Sequence, residues 1–286
     1  MMENVYVVAG HRFAVCGERL CRVVESIEGF APFVTDVGEV LFSFVEGVDV
    51  PVMKVVEYRF AHEGVKGVFG RTGRGFLLAM ELPGGEALNM WHDCGTDIVY
   101  MEGCLHAVAC RFAMWIGLGL MLAPHGIVAV HSSCIVYRGG AVMFLGESGT
   151  GKSTHTRLWM ENVEGAFLLN DDCPFVRVED GKVWAYGSPW SGKTACYRQE
   201  RYELKGCVRL SQAPYNRIKR LPVLQAYGAV HPSCPPAFAY DEELYDHISA
   251  SIGGLLSAVP CYHLACLPDR DAALLALRTV FADETR

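Results

Sequence analysis

The chain predicts an α/β (α+β) architecture, with a β-rich N-terminal domain over residues 1–102 and a nucleotide-binding, catalytic domain over 103–286. Three observations carry this. The first hundred residues break into short apolar runs punctuated by glycine, among them VYVVAG, HRFAVCG and GFLLAMELPGG. Strand-like and helix-like runs alternate after them. Within that second part, the apolar run AVMFL leads directly into GESGTGKST and a helix-compatible stretch.

The N-terminal runs suggest a meander of antiparallel strands. His92 and Asp93 in MWHDCG are the only catalytic-looking pair there, and they read as a solvated turn. Hydrophobic residues make up 51% and charged residues 20%, which excludes a disordered chain. A chain of 286 residues can bury a large core without disulfide staples. Its twelve cysteines are scattered and contain no Cys-x-x-Cys, so they read as reduced thiols rather than a disulfide framework or a zinc site. The start, Met-Met-Glu-Asn, is acidic where a signal peptide is basic, so a cytoplasmic protein is expected. A helix is expected over 103–123; its apolar run FAMWIGLGLMLA is shorter than the roughly 20 residues a bilayer needs and reads as buried.

Two strand-like stretches then flank His131, and Arg138-Gly139-Gly140 turns the chain into AVMFL. A helix follows over 152–163, then the strand AFLLN, which ends at Asp171-Asp172. FVRVEDGKVWAYG reads as a hairpin turning at Asp180-Gly181. The tail alternates: a basic stretch at 217–220, a helix over 241–256, the strand CYHLACL and a helix over 269–281.

Gly146, Glu147, Ser148, Gly149, Thr150, Gly151, Lys152 and Ser153 fit G-x-x-x-x-G-K-[ST] at every fixed position. Glycines let main-chain amides turn inward around phosphate. Lys152 brings a point charge to the β- and γ-phosphates. Ser153 can offer its hydroxyl to Mg²⁺, and Thr154 follows on the same helix, whose positive end faces the phosphates. A helix over 152–163 carries the chain about 18 Å away, and an extended return through AFLLND covers about 20 Å. Asp171 and Asp172 therefore come back to the level of the loop. Adjacent carboxylates on extended backbone point to opposite faces. One is expected to ligand Mg²⁺ and the other to take the proton of an attacking hydroxyl.

His131 can neutralise phosphate charge or orient a carboxylate. In Gly187-Ser188-Pro189-Trp190-Ser191-Gly192-Lys193, glycines bracket a rigid Pro-Trp, and Trp190 and Lys193 are candidate substrate contacts. Arg217, Lys219 and Arg220 read either as a solvated face or as a phosphate clamp.

From about His125 to Lys193 the chain resembles the HPr kinase/phosphorylase family, which shares its nucleotide-binding core with phosphoenolpyruvate carboxykinases. The 146–153 loop is similar to that family's Gly-Asp-Ser-Gly-x-Gly-Lys-Ser. His131 matches an upstream histidine, and Asp171-Asp172 match a downstream acidic pair. The Gly-Ser-Pro-Trp-Ser-Gly run looks like one in shorter relatives, some associated with modification of ribosomally made peptides. The resemblance implies a carboxykinase-like phosphate-loop core. It implies phosphate and metal binding by Lys152 and Ser153, and base and metal functions for the two acids. The family's later glycine-rich signature with a metal-binding glutamate is not found, so HPr itself is not the expected acceptor.

The expected function is an ATP- and Mg²⁺-dependent kinase that phosphorylates a hydroxyl, a serine of a peptide or small protein. Another nucleoside triphosphate or pyrophosphate in place of ATP stays open, as do homo-oligomerisation, a nucleotide-binding sensor without an acceptor, and a carboxykinase-like lyase. A net charge of -7 argues against nucleic-acid and membrane partners.

Overall fold

The structure is a computed structural model that describes residues 2–36, 38–62 and 64–282. The chain divides into two compact units, Met1–His125 with Pro236–Asp246, and Gly126–Pro235 with His247–Arg286. The fold is mixed α/β, built on two large sheets.

The first unit contains β1 (Glu3–Val8), β2 (His11–Cys16), α1 (Glu18–Ser26), β3 (Phe42–Glu46), β4 (Val55–His62), β5 (Val65–Arg71), β6 (Gly75–Glu81), β7 (Ala87–Asp93), β8 (Ile98–Gly103) and α2 (Ala107–Leu122). Among the described residues its eight strands form one sheet in the order β1-β2-β3-β8-β7-β6-β5-β4. From β4 to β8 it is the expected antiparallel meander. The expectation fails at β3, which runs parallel to both β2 and β8. The reason is α1, which the strand pattern did not show. Parallel neighbours need a crossover rather than a tight turn, and α1 lies on the path from β2 to β3, burying Leu20, Cys21 and Val24.

α2 belongs to this unit, so the division falls at Gly126 rather than at 103. With the turn that follows, its helical segment runs Ala107–His125, 19 residues, long and apolar enough by composition to cross a membrane. Ten residues of α2 are buried in the protein. A helix apolar on all sides is what a core position requires. His92 is not on a turn but in β7, where its Nδ1 lies 2.9 Å from the Ile98 carbonyl.

Arg71 anchors the segment of this unit that returns late in the chain. Its guanidinium grips Asp241 with two hydrogen bonds, one from Nη2 at 2.8 Å, and stacks 4.0 Å from the Phe76 ring centre. Asp241 is buried and also accepts from the Leu244 amide at 3.1 Å. Burial alone would raise its pKa, but the bonds from Arg71 and the amide hold it below the usual carboxylate range.

The second unit contains β9 (Ile127–Ala129), β10 (Ser132–Tyr137), β11 (Gly140–Leu145), α3 (Lys152–Asn162), β12 (Phe167–Asn170), β13 (Phe175–Glu179), β14 (Lys182–Tyr186), β15 (Arg201–Gln212), β16 (Arg217–Arg220), α4 (Val223–Val230), β17 (Cys261–Cys266) and α6 (Arg270–Val280); α5 (Glu242–Ala258) enters it from the first unit. The sheet runs β12-β10-β11-β15-β14-β13-β9, with β17 on β15 and β16 on β17. The twelve-residue β15 serves two partners on one edge, β14 along its first residues and β17 along its last. Its other edge pairs in parallel with β11, the strand that feeds the glycine-rich loop. The β13–β14 hairpin turns at Asp180 and Gly181, both with positive φ.

α3 and α6 cover one face of this sheet. Trp159 of α3 is fully buried among Phe144, Val208, Leu264 and Phe281. His155, one turn earlier, accepts from the Trp159 indole at 3.3 Å, and burial pushes its pKa down to about 4. All twelve cysteines are thiols rather than disulfides.

Replacing Arg71 by Met leaves a buried carboxylate without its cation, which costs about 3 kcal/mol. The thermal midpoint should fall at neutral pH. Because the folded Asp241 pKa is depressed, this stabilisation is present above the unfolded value of about 3.9 and lost as pH falls through the folded one. Melting curves of wild type and Arg71→Met should therefore converge in acid.

Candidate functional site

The site is built at the ends of β10, β11 and β12. β11 ends at Leu145, and the chain from Gly146 to Gly151 wraps before α3 begins. Gly146, Gly149 and Gly151 all have positive φ. At Gly146 a Cβ would lie 2.4 Å from Thr150 Oγ1, so no other residue fits there without opening the loop. Thr150 holds the turn by donating its hydroxyl to the Glu147 carbonyl at 2.8 Å. No side chain caps α3. Its first amides and its positive dipole end are thus available to an anion.

Lys152 opens α3 and is buried. Its Nζ donates to the Gly146 carbonyl at 2.7 Å and lies 3.0 Å from His131 Nε2. Burial lowers the Lys152 pKa, opposed by the nearby Asp172 and Asp171 carboxylates. His131 Nδ1 lies 3.1 Å from Asp172 Oδ1. A charged lysine can only donate, so His131 Nε2 accepts and its Nδ1–H donates to Asp172. The result is a chain, Lys152–His131–Asp172, half-exposed at its His131 and Asp172 end.

The two acids have different partners. Asp171 is buried; one oxygen accepts from the Ser133 hydroxyl and the other from the Thr194 amide at 3.1 Å. Asp172 faces His131. Asn170 sets this divergence. Its Oδ1 accepts from the amides of Asp172 at 2.9 Å and Cys173 at 2.7 Å, while its Nδ2 donates to the Trp190 carbonyl at 2.9 Å. Ser188 completes the knot by donating to the Cys173 carbonyl at 2.6 Å.

The 187–193 run therefore lies against the acidic pair. Gly192 touches it most closely: a Cβ there would sit 2.8 Å from the Asp171 carbonyl oxygen. Trp190 is buried against Phe175, so what it offers the site is its main chain. Lys193 is exposed. Ser133, Asn170 and the Thr194 amide were not singled out from the sequence. Asn directly before an acidic pair at a strand end is a recognisable signal, because Asn commonly accepts from amides two and three residues on.

Beside the loop lies a cavity of about 570 Å³, bounded by Gly149, Thr154 and Leu158 on one side and by Leu210, Gln212 and Leu267 on the other. Gln212 Nε2 reaches the Gly149 carbonyl at 3.3 Å across its edge.

No protein-family description matches the chain, and no curated protein matches it. Among solved structures, the Hpr(Ser) kinase/phosphatase from Coxiella burnetii is similar to 55% of this chain and 90% of its own, at 14% identity and a TM-score of 0.32.

Replacing Asn170 by Ala removes the acceptor for the Asp172 and Cys173 amides and the donor that holds the Trp190 carbonyl. Hydrogen exchange at Asp172 and Cys173 should accelerate by about tenfold to a hundredfold, the loss of about 1–3 kcal/mol of local stability. Exchange in β13 and β14 should stay unchanged.

Proposed function

We propose that the protein is a kinase with a phosphate-loop core, which transfers the γ-phosphoryl group of ATP to a serine hydroxyl of a peptide or small protein. The observation that supports this most directly is the Lys152–His131–Asp172 chain, set against a glycine loop whose helix amides carry no cap.

In this reading Gly149, Gly151 and the first amides of α3 receive the β- and γ-phosphates, with Glu147, Ser148 and Thr150 shaping the loop. Lys152 exchanges the Gly146 carbonyl and His131 for phosphate oxygens. Thr154 borders the α-phosphate, and the base lies in the cavity between Leu158 and Leu210. Released by Lys152, His131 Nε2 accepts the proton of the acceptor hydroxyl, while Asp172 holds the imidazole tautomer and stabilises its charge, the logic of a nucleophile–base–orienter triad. The acceptor oxygen bonds to the γ-phosphorus, and the bond from that phosphorus to the β-γ bridging oxygen breaks. The leaving electron pair stays on the nucleoside diphosphate. Asp171 acts by position, tying β10 and the Thr194 loop to the acidic turn.

Among the described residues no group of three His, Cys, Asp or Glu side chains forms a protein-only metal cage. Mg²⁺ does not need one, since it binds through one or two protein oxygens, substrate phosphates and water. Ser153 Oγ and the Asp172 carboxylate are the hard oxygen donors that fit it, and bound there it would supply charge neutralisation to the triphosphate.

The test is incubation with γ-labelled ATP, Mg²⁺ and serine peptides. Labelled phosphoserine is expected. Lys152→Ala should lower transfer by about a thousandfold or more. His131→Gln should lower kcat by about a hundredfold to ten-thousandfold while nucleotide affinity changes little. Nucleotide bound without transfer to any peptide would favour the sensor instead. Because the Lys152 pKa is depressed, affinity for a fluorescent ATP analogue should begin to fall below the usual lysine range as pH rises; Lys152→Arg should remove that fall.

A further inference from the structure

The proposed chemistry makes no use of the basic run 217–220, and the fold gives that run a place. As β16 it runs antiparallel to β17, with Lys219 opposite His263 and Arg217 opposite Ala265. β17 runs parallel to β15, with His263 beside Arg209 and Ala265 beside Ser211. β15 runs parallel to β11, with Arg209 beside Leu145, the residue before Gly146. Residues level with one another across a ladder share a face. Lys219, His263 and Arg209 therefore form one row that ends at the glycine loop, with Arg217 alongside.

The opposite face of these strands carries Ile218, Leu264 and Val208, which pack into the core of the unit. The row is thus on the face away from that core. His263 Nε2 lies 2.9 Å from Ser211 Oγ, and burial together with Lys219 and Arg209 on either side lowers its pKa. The basic groups are close enough to feel one another. Little opposes them. Arg209 Nη1 donates to the Ala229 carbonyl at 3.3 Å and its Nη2 reaches Glu147 Oε1 at 3.5 Å, but that carboxylate is 81% exposed, and exposed pairs are weak. Among the described residues no carboxylate pairs with Lys219 or Arg217.

Strands are about 4.8 Å apart, so the row runs from about 5 Å to about 14 Å from the end of β11. The cavity assigned to the nucleotide is lined by Leu210 and Gln212 and not by Arg209, His263 or Lys219, so the row stays uncovered beside a bound nucleotide. The step from Arg209 to Lys219, about 10 Å, equals about three residues of extended peptide. The chain as a whole carries -7, against which Arg209, Lys219 and Arg217 give this row a local positive charge.

We infer that this row docks an acidic peptide acceptor, with the serine at the glycine loop and carboxylates a few residues along the peptide meeting Arg209 and Lys219 on either side of His263. This rests on the kinase reading, but its test does not require transfer. A fluorescein-labelled peptide with a serine followed by glutamates is compared with its glutamine counterpart by anisotropy, using the full chain. Wild type should bind the glutamate peptide about tenfold tighter at low salt, and salt should erode the difference. Arg217→Gln with Lys219→Gln should abolish most of that preference, leaving the thermal midpoint and affinity for a fluorescent ATP analogue unchanged. Equal binding of both peptides, no binding of either, or full preference in the double variant would overturn the inference. So would loss of nucleotide affinity in its place, or tighter binding of an oligonucleotide than of the peptide. Failure of the kinase reading shows differently, as peptide and nucleotide both bound with no phosphopeptide formed.

Discussion

The arrangement around the glycine loop depends on one buried amide. Asn170 closes β12 with both ends of its side chain engaged, accepting from two amides ahead of it and donating to a carbonyl twenty residues on. A buried amide left unpaired would cost more than the bonds return, so the network holds as a unit. It turns the backbone sharply enough that neighbouring carboxylates reach different surroundings. One is enclosed by Ser133 and Thr194; the other reaches His131. The same knot carries the 187–193 run to the acidic turn, where only glycine fits at 192.

Much of the second unit was legible in local pattern. AVMFL, the helix after the loop and the Asp180-Gly181 hairpin are each marked by short-range chemistry, and the structure places them at β11, α3 and the β13–β14 turn. What the pattern hid is long-range. The parallel insertion of β3 depends on a partner over fifty residues later, β8, which periodicity cannot see. The run 217–220 reads as a solvated face or a phosphate clamp, and only the pairing with β17 gives it a place in the sheet. An all-round apolar helix such as α2 says that it is buried without saying in which unit.

At the site, sequence spacing brought out Lys152, His131 and Asp172, which the fold draws into one hydrogen-bonded chain. It could not apportion the acids. Strand alternation says that two neighbours diverge; only the identity of the groups waiting on each side says which becomes enclosed. At Trp190, a candidate substrate contact by sequence, the ring is buried and the polar main chain around it carries the connection to Asn170.

The ammonium of Lys152 already sits against the Gly146 carbonyl. The loop is, in effect, stoppered by its own cation. An anion drawn to the uncapped amides of α3 therefore meets a cost when it claims the ammonium as well, because the carbonyl must let go first.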